Sequence, residues 1–209
     1  MNHLKLILQD GLLFHLMILS NTEILKCLDR GDFEISPPPG TDTTKPPFNT
    51  SAIDLRLGTE IRVPKTPIQP VQLDLRLAGI SNFLHDNTEK IIITKNQPYS
   101  LEPNKFILGQ TFERVNFPIH GGDICYSARV EGKSSLARCG VLIHFTAPTI
   151  HAGFTGIITL EIINLGIHNF LLTPDMYICQ LIIEEVKGSP IQSPNQFSGQ
   201  TNPTGRSRA

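Results

Sequence analysis

The chain has 209 residues, 18 Lys and Arg against 19 Asp and Glu, and a formal net charge of −1. That length suits one domain, and the missing basic surplus excludes general electrostatic binding to nucleic acid. Tryptophan is absent, and 16 Gly with 16 Pro favour many turns over long helices.

In chain order, Leu4 to Leu8 and Leu12 to Leu19 are mostly apolar, but Lys5, Gln9, Asp10 and His15 interrupt them. Neither run is long enough to span a bilayer, and no small-residue cleavage site follows, so no membrane partner is expected. Met17-Ile18-Leu19-Ser20 itself looks like a protein start. Residues 1–16 therefore read as an extension or upstream start, with a weak membrane-surface role as the alternative. Ser20-Asn21-Thr22-Glu23 fits a capping box, in which the Ser20 hydroxyl accepts from the Glu23 amide and Glu23 reaches back. Ile24, Leu25 and Leu28 give the helix one apolar face, and Gly31 ends it. Phe33 to Ile35 reads as a short strand. Residues 37–50, rich in Pro, Thr and Gly, read as a loop.

Ser51 to Gly58 alternates, with Ile53, Leu55 and Leu57 on one side and Asp54 and Arg56 on the other, as a half-buried strand does. Leu73 to Gly79 is a similar string, too short to establish a repeat. Further strands are expected at Ile91–Thr94, Phe106–Glu113, Ile124–Glu131, Leu142–Phe145, Gly156–Asn164, Phe170–Leu172 and Tyr177–Val186, punctuated by Gly, Pro, Asn and Asp. Many short strands at this spacing predict an all-β sandwich or barrel. Residues 189–209 turn polar and read as a flexible tail. They also contain Phe197, Gln200 and Arg206, which could close over a ligand. Cys27, Cys125, Cys139 and Cys179 form no C-x-x-C pair, so neither a zinc ribbon nor a redox motif is indicated. Their scatter suits reduced, mostly buried thiols in a cytoplasmic protein.

Two segments carry chemistry. In Gly132-Lys133-Ser134-Ser135-Leu136-Ala137-Arg138-Cys139-Gly140, glycines bracket about two helical turns. Free amides at such a start suit a phosphate, and Lys133 adds charge. Ser134 and Arg138 are four apart and share a face. A capped surface helix with a solvated Arg explains the same residues. In Gly156–Asn164, read as a strand, Ile158, Leu160 and Ile162 share one face, and Ile157, Thr159, Glu161 and Ile163 the other. Desolvation among those neighbours would raise the pKa of Glu161 and suit it to proton shuttling near neutrality. A carboxylate at a wet sheet face, or one paired with an Arg, fits equally. Zinc deaminases use H-x-E with P-C-x-x-C, and neither string is present.

Together the two segments resemble the dCTP deaminase family. Gly132 to Gly140 is similar to its G-R-S-S-L-A/G-R-x-G signature. Thr146-Ala147-Pro148-Thr149-Ile150-His151-Ala152-Gly153-Phe154-Thr155-Gly156, running on to Leu160-Glu161, is similar to its second signature. Ser51 to Gly58, Gln180-Leu181-Ile182 and the arm from Gln196 to Ser207 extend the resemblance from Met17 nearly to the end. It implies the distorted β-barrel or sandwich shared with trimeric dUTPases, with a short N-terminal helix and another in the Ser-Ser-Leu-Ala-Arg motif. It implies a deaminase domain over 17–188 and an arm over 189–209 that closes on the site. It also implies a homotrimer with sites between subunits, acting on a dCTP- or dUTP-type nucleotide without zinc, with Mg²⁺ carried on the triphosphate and no metal held by protein side chains.

The resemblance also implies roles. Glu161 is the expected general base and acid, Ser134 and the Ala147 carbonyl hold the attacking water, and Arg138 orients Glu161. Lys133, Ser135 and the arm hold the triphosphate, and the Phe154 ring packs on the deoxyribose. Ile150, His151, Thr159, Gln180, Gln200 and Arg206 complete the expected nucleotide-binding set. The chain departs from the family at His151, where Asp is usual, and at Lys133, where Arg is usual. The arm pattern K-Y-x-x-Q stands here as Gln196-Phe197-Ser198-Gly199-Gln200. Three functions follow as expectations: deamination of dCTP to dUTP and ammonia, a bifunctional route onward to dUMP, and a non-catalytic nucleotide-binding module.

Overall fold

The computed structural model describes residues 17–69, 72–74, 76, 79–120, 124–194 and 197–205. The expected extension at 1–16, Gln196 and Arg206 lie outside the described residues, as do parts of the 73–79 string.

The first element is helix α1, Asn21–Arg30. The Ser20 hydroxyl accepts from the Glu23 amide at 3.3 Å, and Gly31 closes the helix at φ 76°, a left-handed conformation that glycine adopts without a Cβ penalty. Glu23 does not reach back to the cap. Its carboxylate pairs instead with Lys26 and Arg30 along the helix. Ile24 and Cys27 seat α1 in the core.

Two open sheets and a two-stranded ribbon follow. Their strands are β1 (Glu34–Ser36), β2 (Phe48–Asn49), β3 (Ala52–Arg56), β4 (Glu60–Pro64), β5 (Thr88–Ile92), β6 (Tyr99–Leu101), β7 (Phe106–Asn116), β8 (Cys125–Gly132), β9 (Val141–Ile143), β10 (Thr149–Ile150), β11 (Thr155–Asn164), β12 (Phe170–Leu172) and β13 (Tyr177–Val186). One sheet runs β5-β4-β7-β11-β9, with β1 also paired to β7, and the other runs β10-β8-β13-β3-β2. Strands β12 and β6 form a separate ribbon. A single apolar cluster joins the sheets, with Leu55, Ile107, Val130, Leu160, Ile162 and Leu181 fully buried. Each such side chain contributes about 1.5–3 kcal/mol by leaving water. The architecture is the expected all-β one, a distorted sandwich whose sheets do not close.

The expected strands at 106–113, 124–131, 142–145, 156–164, 170–172 and 177–186 all appear, with ends shifted by a few residues. The expected loop at 37–50 carries the two-residue strand β2, whose Phe48 enters the core. Strand β4 was not expected, because its alternate residues Glu60 and Arg62 are charged. They are nonetheless buried, and Arg62 Nε donates to Glu60 Oε1 at 2.8 Å. Helix α2, Ile80–Asn87, starts from Gly79 without a side-chain cap, and its short apolar face of Ile80, Phe83 and Leu84 is only half-buried. The glycine-bracketed motif forms only the single turn α3, Ser134–Ala137. Cys27, Cys125 and Cys179 are buried free thiols and Cys139 is an exposed one.

An irregularity of β7 lies against the part of β11 that matters for function. The register with β7 shifts between Ile157 and Thr159. The amide released at Ile158 donates to Thr111 Oγ1 at 2.9 Å, and that hydroxyl donates to the Glu113 carbonyl at 2.7 Å. Three residues of β7, Thr111 to Glu113, thus stand opposite Ile158 alone, and the Thr111 hydroxyl bridges the gap in the ladder. Ile157 and Ile158 are both buried, and beyond them Leu160 and Ile162 point inward.

Candidate active site

Glu161 stands on the outer face of β11, opposite Leu108 of β7. On its other side the chain leaving β9 places His144, whose amide donates to the Glu161 carbonyl at 2.8 Å. His144 adopts φ 54°, uncommon for a non-glycine residue, and its ring turns back over β11. Nδ1 lies 2.8 Å from Glu161 Oε2, and Nε2 lies 2.7 Å from the Ala147 carbonyl oxygen. The contact with the carboxylate is short but poorly aligned, an ion pair more than a linear hydrogen bond. Both ring nitrogens thus face oxygen acceptors, which suits the imidazolium with two donors.

The electrostatics correct one expectation. Burial does push the Glu161 carboxyl upward. The adjacent His144, helped by Glu161's own backbone amide, overrides burial and holds the carboxyl below the usual range. For His144, burial pushes the imidazole down, while Glu161 and then the Ala147 carbonyl prevail and raise it. The raised Glu161 inferred from its apolar neighbours is therefore not the resting state. A sequence lists the neighbours on one strand and does not reveal the partner from the next.

The second set gathers around Asp54 on β3, which is 7% exposed. Its carboxylate accepts from Lys133 Nζ in a short ion pair, from Asn49 Nδ2 at 2.8 Å and from Gln180 Nε2 at 3.4 Å. Lys133 and Gln180, both expected to bind nucleotide, therefore converge on a carboxylate that had been read only as the outer side of a strand. Ser134, Ser135 and Arg138 are exposed on and just after α3. Among the described residues no hydrogen bond or ion pair joins their side chains to Glu161. A cavity of about 210 Å³ opens beside Asp54, between Pro37 to Pro39, Arg56, Glu113 and Tyr177.

The third set is the arm. The Gly199 amide donates to the Thr155 carbonyl at 2.6 Å, Gln200 bridges Gly156 in parallel, and Gln200 Nε2 donates to the Ile157 carbonyl at 2.8 Å. Thr159 Oγ1 donates to the Pro203 carbonyl at 3.4 Å. Residues 197–205 are thus tied to the chain's own β11, where the sequence suggested a loose tail. Gln200 is 5% exposed and already bonded. Of the remaining expected residues, His151 is exposed, while Ile150 and Phe154 belong to the core cluster. The Phe154 ring, 5% exposed, offers a sugar almost no face in this conformation, contrary to the expected stacking.

His144 and Asp54 are the site residues that sequence reasoning missed. A histidine directly after the apolar run Val141–Ile143 was the available signal for one. An acidic residue inside an apolar strand was the signal for the other. Among the described residues no group of three or more His, Cys, Asp or Glu side chains is placed to hold a metal ion, and no helix is long and apolar enough to cross a membrane.

An open two-sheet β-sandwich with a buried carboxylate–imidazole pair on one outer face is the class that fold and site define. A family model described as dCTP deaminase-like matches residues 18–186, and the chain belongs to that family. It is 34% identical over 193 residues to a dUMP-forming dCTP deaminase of Methanosphaera stadtmanae, covering 89% of this chain and 91% of that one. It is 35% identical over 193 residues to a dCTP deaminase of Haloarcula marismortui, covering 90% and 92%. In structure it is similar to the dCTP deaminase of Agrobacterium tumefaciens, with a TM-score of 0.58 at 17% identity. That match covers 80% of this chain but only 47% of the solved one, and it speaks to the fold alone.

Proposed function

We propose that the chain is a dCTP deaminase, converting dCTP and water to dUTP and ammonia. The observation that carries this reading is Glu161, a half-buried carboxylate on an outer sheet face with His144 at 2.8 Å and the arm beside it. Attack at C4 of cytosine needs a base to take a proton from water, an acid for N3 and a proton for the departing amine. One carboxylate can take the first proton and return it to N3. The second water proton then leaves with the amine as ammonia, so the balance closes. Glu161, held ionised at rest, is ready to accept. The Ala147 carbonyl has two lone pairs, one of which already accepts from His144 and the other of which is suited to the attacking water. Ser134 and Arg138, exposed beside α3, would hold that water and orient the carboxylate of a neighbouring subunit in a homotrimer.

Phosphate recognition falls to Ser135 and to Lys133, which would share its charge with Asp54. His151, Ile150, Phe154, Thr159, Gln180, Gln200 and Arg206 are assigned to nucleotide binding on the family resemblance. Mg²⁺ would arrive on the triphosphate as part of the substrate, no zinc is required, and the setting is cytoplasmic. A second reading, continuation to dUMP and pyrophosphate, is supported by the dUMP-forming activity in the name of the Methanosphaera relative. His151 weighs against it, because imidazole cannot supply the fixed negative charge of the usual Asp.

The test is incubation with dCTP and Mg²⁺, with chromatographic separation of products, beside Glu161→Gln. Wild type should yield dUTP and ammonia, and the variant should lose about 10²–10⁴-fold in rate while dCTP still protects it from heat. A dUMP product would establish the second reading. Wild-type protein that binds dCTP yet releases no ammonia would overturn both.

A further inference from the structure

The arm does not end at β11. Beyond Pro203 it reaches α2, where Ser81 Oγ donates to the Thr204 carbonyl at 2.6 Å. Thr204 is 2% exposed, and its amide and hydroxyl both bond Asn202 Oδ1, at 3.0 and 2.7 Å. The Gly205 amide donates to the Asn202 carbonyl at 3.2 Å, closing a tight turn. The fit to α2 is close. A Cβ on Gly205 would stand 2.7 Å from Ser81 Oγ and 3.3 Å from Ser81 Cβ, at a φ of 113° that other residues rarely adopt. Helix α2 is half-buried along Ile80, Ser81, Phe83 and Leu84, so Ser81 lies on the face turned toward the rest of the molecule.

The strap so formed crosses the N-terminal half of β11 and passes over Thr159. Thr159 lies two residues before Glu161 on the same strand face, about 7 Å away by strand geometry. From this we infer that Ser81 is a positioning residue. It latches the C-terminal arm to α2 and so keeps the arm beside Glu161, where it retains the nucleotide. The inference rests on the reading of Glu161 as the reacting carboxylate. Ser81 touches no reacting atom and acts only through Thr204 and the arm.

Two measurements on the full chain separate this latch from the function itself. Amide hydrogen exchange over residues 199–204, without nucleotide, should quicken about fivefold in Ser81→Ala, the scale of one lost neutral hydrogen bond. It should recover in Ser81→Thr, which keeps the hydroxyl. Gly205→Ala, which collides with Ser81, should quicken exchange at least as much. With dCTP, Ser81→Ala should raise KM about fivefold with kcat unchanged, since the reacting groups stay in place. Unchanged exchange in Ser81→Ala overturns the latch. Faster exchange with unchanged KM overturns its role at the site. If wild type fails to turn over dCTP, the proposed function fails, while the exchange data still decide whether Ser81 holds the arm.

Discussion

His144 and Glu161 each hold the other's proton equilibrium away from its solution value, and the two shifts have opposite signs. Glu161 is lowered, so its contribution to stability is present above the ordinary glutamate value of about 4.3 and is lost as pH falls through the folded value. His144 is raised, so its contribution is full below about 6.5 and is lost as pH rises through the folded value. The pair therefore stabilises most between those two limits. His144→Gln should lower Tm most at pH about 4.5–6.5 and progressively less on either side. The same substitution leaves burial as the main influence on Glu161. The acid limb of the kcat/KM profile should then move to higher pH. An acid limb that stays in place would mean that His144 does not govern the carboxylate.

At the scale of elements, the positions of α3 and β9 depend on two glycines that share no sequence neighbourhood. Gly140 ends the motif at φ 88°, and a Cβ there would stand 2.5 Å from the Gly166 amide nitrogen. On the other side of the contact, a Cβ on Gly166 would stand 2.3 Å from the Cys139 carbonyl oxygen. The Leu165 amide donates to the Gly140 carbonyl at 2.7 Å, locking the turn after α3 to the end of β11. Gly140→Ala meets both a left-handed backbone and a stiff neighbour, and should cost about 2–4 kcal/mol, read as a drop in Tm. Because β9 also carries the chain to His144, the variant should weaken the Glu161 pair as well. The irregularity of β7 opposite Ile158 leaves the alternation of β11 intact, so Thr159 and Glu161 share the outer face while Ile158, Leu160 and Ile162 stay in the core.

At the scale of the molecule, no hydrogen bond or ion pair among the described residues joins Glu161 to the side chains of the Ser134–Arg138 turn, although the proposed chemistry needs both. The proposed site shared between subunits would bring them together. Glu161→Gln and Arg138→Ala, each inactive alone, should complement when refolded together. Random mixing in a symmetric ring would restore about a quarter of wild-type activity. Absence of any recovery would confine the reaction to groups on a single chain.

How much was legible in the sequence differs from residue to residue. The Ser20 cap, the Gly31 stop and the alternation along Gly156–Asn164 follow from local rules, because a cap or a strand face is decided within a few residues. The spaced motifs ending at Arg138 and Glu161 were likewise enough to place the chain in its family. Strand β4 and helix α2 were not legible. One hides buried charges that satisfy each other along one strand, and the other is a short helix that starts without a side-chain cap. Nor could the string of residues show that His144 faces Glu161 from 17 positions away, that Lys133 and Gln180 meet on Asp54, or that Ser81 receives Thr204. By itself the sequence determined the strands, their buried faces and the carboxylate available for chemistry. Only the tertiary structure decided that carboxylate's charge state and the arm's resting place. Both depend on pairing between distant strands, and the free energy of a charge is set by whatever stands within a few ångströms of it.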